Sequence, residues 1–240
     1  MLPNSTEKPN LAPATLILFA KHWTPGHAKT RLIPRVGEAG GAKLQKLFLA
    51  TTLKRVSGLF ERHILAITPA DKQQEFADLA GPGWRIVDQG TGDLGERLER
   101  MVHFAHRQGS ERVLVIGSDS PDLPTEYLTQ AEVLLYKKDA VIGPADDGGY
   151  YLLGFSAEPC SLKNIAWGSN QVRLQTEAKL QESGYSYAAL PTWSDVDFLA
   201  DLDALLNRIQ ALTGKDAALA ELDQQIREIL AISPGILPLR

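Results

Sequence analysis

Cysteine is almost missing from this chain: Cys160 stands alone among 240 residues. One thiol cannot close an internal disulfide, and a zinc site built on thiolates is excluded. Long apolar runs are missing as well; none approaches the roughly 20 residues that span a bilayer. Neither sign of charge dominates, with 25 basic against 29 acidic side chains and a net charge of −4. So mild an acidity gives no global reason to bind nucleic acid or a membrane, and positive charge must act locally. Met1–Asn10 is polar and lacks the apolar core of a signal peptide. The expectation is a cytoplasmic protein with no membrane span. Catalytic signatures are also scarce. There is no Gly-x-Ser-x-Gly elbow, and Ala28 precedes Lys29 where a Walker A loop needs glycine. The five histidines show no metal-ligand spacing, and His103 and His106, three apart on a helix, read as surface residues.

What is present is a β/α alternation in a chain long enough for one large domain. Buried strands are expected at Thr15–Ala20, His63–Thr68, Trp84–Asp88, Arg112–Gly117 and Ala140–Gly143. Tyr150–Phe155 follows the Gly148-Gly149 turn too closely for a crossover helix, so it is expected to pair antiparallel. Tyr185–Leu190 reads as a last strand. Helices are expected over Ala39–Val56, Asp71–Leu79 with Asp71 as its cap, Glu96–Arg107, Pro124–Lys137, Asn170–Glu182, Phe198–Leu212 and Ala217–Ala231. The economical organisation is a polar extension over 1–13, one α/β domain over 14–212, and a helical end of that domain over 213–240.

Four stretches could carry chemistry. Val113-Leu-Val-Ile-Gly-Ser-Asp-Ser-Pro-Asp122 is an apolar run that stops at Gly117, Ser118 and Asp119. A buried parallel strand delivers a carboxylate in this way to the carboxyl edge of its sheet, where open α/β folds bind ligands. Asp119 suits a hard cation such as Mg²⁺ or Mn²⁺, which takes oxygen ligands and completes its shell with phosphate and water. Asp122, just before Pro124, reads as either a second ligand or an organiser of the next helix.

The loop Phe19-Ala-Lys-His-Trp-Thr-Pro-Gly-His-Ala-Lys-Thr-Arg31 places Ala20, Lys21, Gly26, Lys29 and Arg31 on one connection. Backbone amides with two or three cations are what a di- or triphosphate needs, although a solvated basic loop fits the same residues. In Gly143-Pro-Ala-Asp-Asp-Gly-Gly-Tyr-Tyr151, Asp146 and Asp147 precede two glycines. That is either a simple turn or a place where a ligand meets Gly148, Gly149 and Tyr150 while one carboxylate, Asp147 before Asp146, takes an acceptor hydroxyl or its proton. In Trp193-Ser-Asp-Val-Asp-Phe-Leu-Ala-Asp-Leu202, Asp195 or Asp197 either caps the following helix or, in the case of Asp197, adds a second carboxylate to the metal.

Five motifs in this order, FAKHWTPGHAKTRL, QGTGDLGERL, IGSDSPDLP, GPADDGGYYLLG and WSDVDFLADL, resemble small bacterial proteins grouped as nucleotide-diphospho-sugar transferases of GT-A type. The resemblance covers about residues 14–205 and extends distantly to molybdenum-cofactor and 2-phospholactate guanylyltransferases. It implies an α/β GT-A fold with a mixed, mostly parallel seven-stranded sheet and helices on both faces. It implies a nucleotide site at the first loop, with Lys29 and Arg31 at the phosphates and Gly117 and Ser118 beside them. A metal would sit on Asp119, with Asp197 in the place of a second metal-binding carboxylate. Two departures stand out. The Gly-Gly-x-Ser-x-Arg start of the nucleotidyltransferases is missing, and so is the Asp-x-Asp of typical glycosyltransferases.

The expected activity is metal-dependent glycosyl transfer from a nucleotide sugar to a small-molecule acceptor. The alternatives are nucleotidyl transfer from a nucleoside triphosphate with release of pyrophosphate, or a catalytically silent nucleotide-binding protein on the same fold. No nucleic-acid partner is expected, and the apolar faces of the terminal helices could serve a homodimer.

Overall fold

Seven strands form one sheet in the order β3-β2-β1-β4-β6-β5-β7. The computed structural model describes residues 13–212 and 216–232, so all but Pro13 of the expected polar extension, and residues 213–215 and 233–240 of the expected C-terminal end, lie outside the described residues. The strands are β1 (Ala14–Lys21), β2 (Arg62–Thr68), β3 (Trp84–Asp88), β4 (Arg112–Gly117), β5 (Ala140–Pro144), β6 (Tyr150–Phe155) and β7 (Tyr187–Ala189). The pairs β1–β2, β2–β3, β1–β4 and β5–β7 are parallel, whereas β6 runs antiparallel to both β4 and β5. The short turn after β5 forces that reversal, as the sequence indicates, because a parallel return needs a crossover of a dozen residues or more.

The helices are α1 (Ile33–Val56), α2 (Gln73–Ala80), α3 (Leu94–Arg107), α4 (Thr125–Leu134), α5 (Val172–Glu182), α6 (Leu199–Ala211) and α7 (Ala217–Ile232). They cover both faces of the sheet. Leu16, Leu18, Leu114 and Ile116 pack on one side with Leu49 and Leu53 of α1, Phe76 of α2 and Leu128 of α4. Ile17, Val113 and Val115 pack on the other with Leu98, Met101 and Val102 of α3 and Leu180 of α5. Strands buried on both faces must be apolar throughout, and that is why β1 and β4 read as continuous runs. A third cluster joins Leu44 and Phe48 of α1 to Leu202 and Leu205 of α6 and to Leu222 and Ile226 of α7.

Several helix ends differ from the expectations. The backbone at Gly37 leaves the helical region (φ 72°, ψ 170°), so the continuous part of α1 begins close to the expected Ala39. Asp71 is not a cap: it lies inside a short 3₁₀ turn, Ala70–Lys72, with no capping bond from its side chain. α3 starts at Leu94, two residues early, because Asp93 accepts from the Glu96 amide at 2.9 Å while Glu96 accepts from the Asp93 amide at 3.0 Å. α4 stops at Leu134, before the expected Lys137. Neither Asp195 nor Asp197 caps α6; the Asp201 carboxylate accepts from the amides of Asp197 and Phe198 at 3.1 and 2.7 Å.

Candidate functional site

The carboxyl ends of β1 and β4 are neighbours, with Phe19 opposite Gly117 in the register, so the loops leaving them open on the same edge. A cleft of about 570 Å³ lies there. Ala20, Lys21, Lys29, Arg31, Gly117, Ser118, Asp119, Asp197 and Tyr150 line it, as does Asp195. Nine of the expected site residues therefore meet in one cavity. Gly26, Asp146, Asp147, Gly148 and Gly149 do not line it.

The β1 loop turns at Gly26 (φ 79°), where the His27 amide donates to the Thr24 carbonyl at 3.0 Å. The loop ends on Lys29, whose backbone is left-handed (φ 47°, ψ 45°), an uncommon conformation for a side chain of its size. The Lys29 ammonium does not point to solvent. Its side chain is 3% exposed; it donates to the Asp119 carboxylate and, at 2.7 Å, to the Val196 carbonyl, with Asp197 3.8 Å away. It also lies 5.1 Å above the Phe48 ring. Arg31 is more open: it donates to Asp197 at 2.5 Å and stacks 4.9 Å over Phe198.

An irregular crossing segment supplies the remaining acids. The Trp193 amide bonds the Pro144 carbonyl at 3.0 Å and the Val196 amide bonds the Asp119 carbonyl at 3.0 Å, so residues 193–197 run from the end of β5 to the end of β4. That path carries Asp195 and Asp197 into the cleft beside Asp119. Ser120 donates to Asp195 at 2.6 Å. Burial pushes the Asp195 carboxyl up to about 6 against that bond; Asp119 and Asp147 add to the rise and Lys29 opposes it. The sequence offers Asp195 only as a cap candidate, because a segment without helical or strand periodicity gives no direction for its side chains.

Two further supports lay outside the sequence signal. Asp122 is 1% exposed and is gripped by Arg208 of α6 at 2.6 and 3.3 Å, with Trp193 Nε1 donating at 3.3 Å. Arg208 also lies 5.4 Å over the Trp193 ring, so one side chain ties α6, the β4 loop and the crossing segment together. Gln45 of α1 donates to Ser118 at 3.1 Å and orients that hydroxyl at the cleft wall.

The Asp146–Gly149 loop is organised mostly by its own contacts. Asp146 accepts from Ser194, and Asp147 accepts from the Gly149 amide at 2.8 Å. Gly148 (φ 88°) packs on the backbone at Asn170, where an added Cβ would come within 2.2 Å of the carbonyl oxygen. Glycine is required there for close packing, whatever binds nearby. Asp147 still reaches the site electrostatically through Asp195. Among the described residues, no group of three His, Cys, Asp or Glu side chains is arranged to hold a metal ion. No helix among them is long and apolar enough to cross a membrane.

Sheet order and cleft together define an α/β protein of the nucleotide-diphospho-sugar transferase fold. A crystal structure of a "putative nucleotide-diphospho-sugar transferase" from Desulfovibrio desulfuricans G20 is 32% identical, with 92% of this chain and 97% of that one covered at a TM-score of 0.83. The chain belongs to the same family as that protein. The family described as "Uncharacterized protein conserved in bacteria" (DUF2064) matches residues 52–169. A cytidylyltransferase from Leptospira borgpetersenii is 15% identical over 95% of this chain and 98% of its own (TM-score 0.56). A nucleotidyl transferase from Methanothermobacter is 14% identical over 84% and 99% (TM-score 0.59). At those identities the likeness is one of fold. No curated protein matches the chain.

Proposed function

We propose that the protein is a metal-assisted transferase that takes a nucleotide-diphospho-sugar and passes its sugar to a small hydroxylated acceptor. The observation that carries this reading is the meeting, in one cleft at the carboxyl edge of β1 and β4, of Lys21, Lys29 and Arg31 with Asp119 and Asp197. Cations and amides in that position suit a diphosphate. The 32% identical relative bears a name of the same class.

The residues fit a hard divalent cation. Carboxylate oxygens of Asp119 and Asp197 converge on one positively charged atom, the Lys29 ammonium, and the Val196 carbonyl adds a third oxygen. Two carboxylates without a third are the set that Mg²⁺ uses when substrate phosphates and water complete its shell. Asp119 and Asp197 would hold the ion. When bound, the ion neutralises charge that develops on the departing phosphate. Arg31, exposed and planar, grips a phosphate oxygen pair, and Lys21 adds charge at the β1 side. Asp195, which lines the cleft, would contact the acceptor hydroxyl, with the Asp147 charge acting on it.

Nucleotidyl transfer is the second reading, favoured by the fold shared with the cytidylyl- and nucleotidyltransferases. A thermal-shift screen of nucleotide sugars and nucleoside triphosphates, with and without Mn²⁺, tests the site. A ligand at 100 times its Kd stabilises by about 2.7 kcal/mol, and Asp119→Ala should abolish the metal-dependent part. Product analysis then decides the reaction, because only nucleotidyl transfer liberates pyrophosphate. If no nucleotide or nucleotide sugar shifts the melting temperature, the proposal fails.

A further inference from the structure

Lys29 stands where the proposed metal would stand. Its ammonium contacts Asp119, bonds the Val196 carbonyl at 2.7 Å and lies 3.8 Å from Asp197. An Mg²⁺ ion held by those carboxylates would need oxygens at about 2.0–2.1 Å. It would then lie against a buried ammonium of like charge, in a pocket where the lysine side chain is 3% exposed and poorly screened by solvent. The two cations compete for these oxygens, because Lys29 already occupies Asp119 and the Val196 carbonyl and lies beside Asp197. We propose that Lys29 is the displaceable counter-ion of the divalent-metal site, so that metal enters by cation exchange and the freed ammonium pairs with the polyphosphate that arrives with it. The inference rests on the metal-assisted reading above and specifies how that same site is loaded.

Charge count points the same way. Lys21, Lys29, Arg31 and Arg97 line the cleft against Asp119, Asp195 and Asp197, so it offers a lone divalent ion no net attraction. A polyphosphate changes the balance, because it supplies new anionic partners for the cations that the metal replaces. Metal and polyphosphate should therefore bind cooperatively, and by linkage each should tighten the other equally. The way out is short. Lys29 itself lines the cleft, and its four-carbon stem can swing there without moving a helix.

The test uses the full chain, Mn²⁺ as the metal and inorganic pyrophosphate as the polyphosphate probe. Mn²⁺ affinity is measured by titration calorimetry or electron paramagnetic resonance, and Lys29 accessibility by amine acetylation with mass-spectrometric readout. Lys29→Met keeps the stem over Phe48 and removes the charge. That variant should bind Mn²⁺ alone at least 10-fold more tightly than the native protein. Pyrophosphate should tighten Mn²⁺ binding several-fold in the native protein and little in the variant. Native Lys29 should be protected from acetylation without metal and labelled at least 5-fold faster with saturating Mn²⁺. Equal or weaker Mn²⁺ binding by Lys29→Met overturns the inference. So does a Lys29 that stays protected while Mn²⁺ is bound, and that outcome leaves the transferase reading standing. No Mn²⁺ binding to either protein overturns both the exchange and the metal-assisted part of that reading.

Discussion

Asp195 shows how much a single residue can owe to its path rather than its neighbours in sequence. Its carboxyl is pushed up to about 6, chiefly by burial, with Asp119 and Asp147 adding to the rise and Lys29 and the Ser120 hydroxyl opposing it. The native state thus holds this proton more tightly than the unfolded chain does. The resulting stabilisation is full below the ordinary value of 3.8 and is lost as pH rises through about 6. Asp195→Asn keeps an acceptor for Ser120 and removes the charge. Urea denaturation should find the variant more stable than the native protein at pH 7, by about 2 kcal/mol, since the shift is worth at most about 3 kcal/mol. The difference should close as pH falls from 6 to 4. A constant offset across that range would show that Asp195 does not titrate as described. At this scale the sequence was informative about Asp119, because a buried strand has a definite end and a definite edge. It was silent about Asp195, whose segment has no periodicity to read.

Elements whose hydrogen-bonding rules are local were legible. β6 could be oriented from the shortness of its turn, and β1 and β4 from their unbroken apolar runs. The start of α3 was equally available in Asp93 and Glu96, three apart, yet the glycines around them read as loop. Asp93→Ala should cost about 1 kcal/mol, a normal value for a lost N-cap, and amide exchange should locate the fraying in the first turn of α3. Contacts between distant elements were not legible. Nothing around Asp122 announces that Arg208, 86 residues later, will neutralise it. Arg208→Ala would leave a carboxylate of 1% exposure with the Trp193 indole as its remaining side-chain partner among the described residues, and should cost about 3–5 kcal/mol in chemical denaturation. Asp122→Leu with Arg208→Met should recover much of that, because the buried charge itself is gone. If the single and the double variant lose the same stability, the grip of α6 on the crossing segment is not electrostatic.

At the scale of the whole molecule, helices on both faces and a mixed sheet follow from the alternation of runs, whereas the third layer does not. Phe48 belongs to that layer and also forms the surface beneath the Lys29 ammonium, so α6 and α7 support the site from behind. Ile226→Ala in α7, at a fully buried position, should cost about 2–5 kcal/mol and move a single unfolding transition as a whole. Two separate transitions would instead mean that the helical layer unfolds on its own. The Val196 carbonyl leaves a consequence for anyone mapping this protein by mutagenesis. A peptide oxygen is encoded by no codon, so a saturation library across residues 193–197 would pass over one of the two acceptors that hold Lys29. An amide-to-ester exchange at the 196–197 linkage, which weakens that oxygen with every side chain in place but also removes the Asp197 amide that donates to Asp201, would bring it into view.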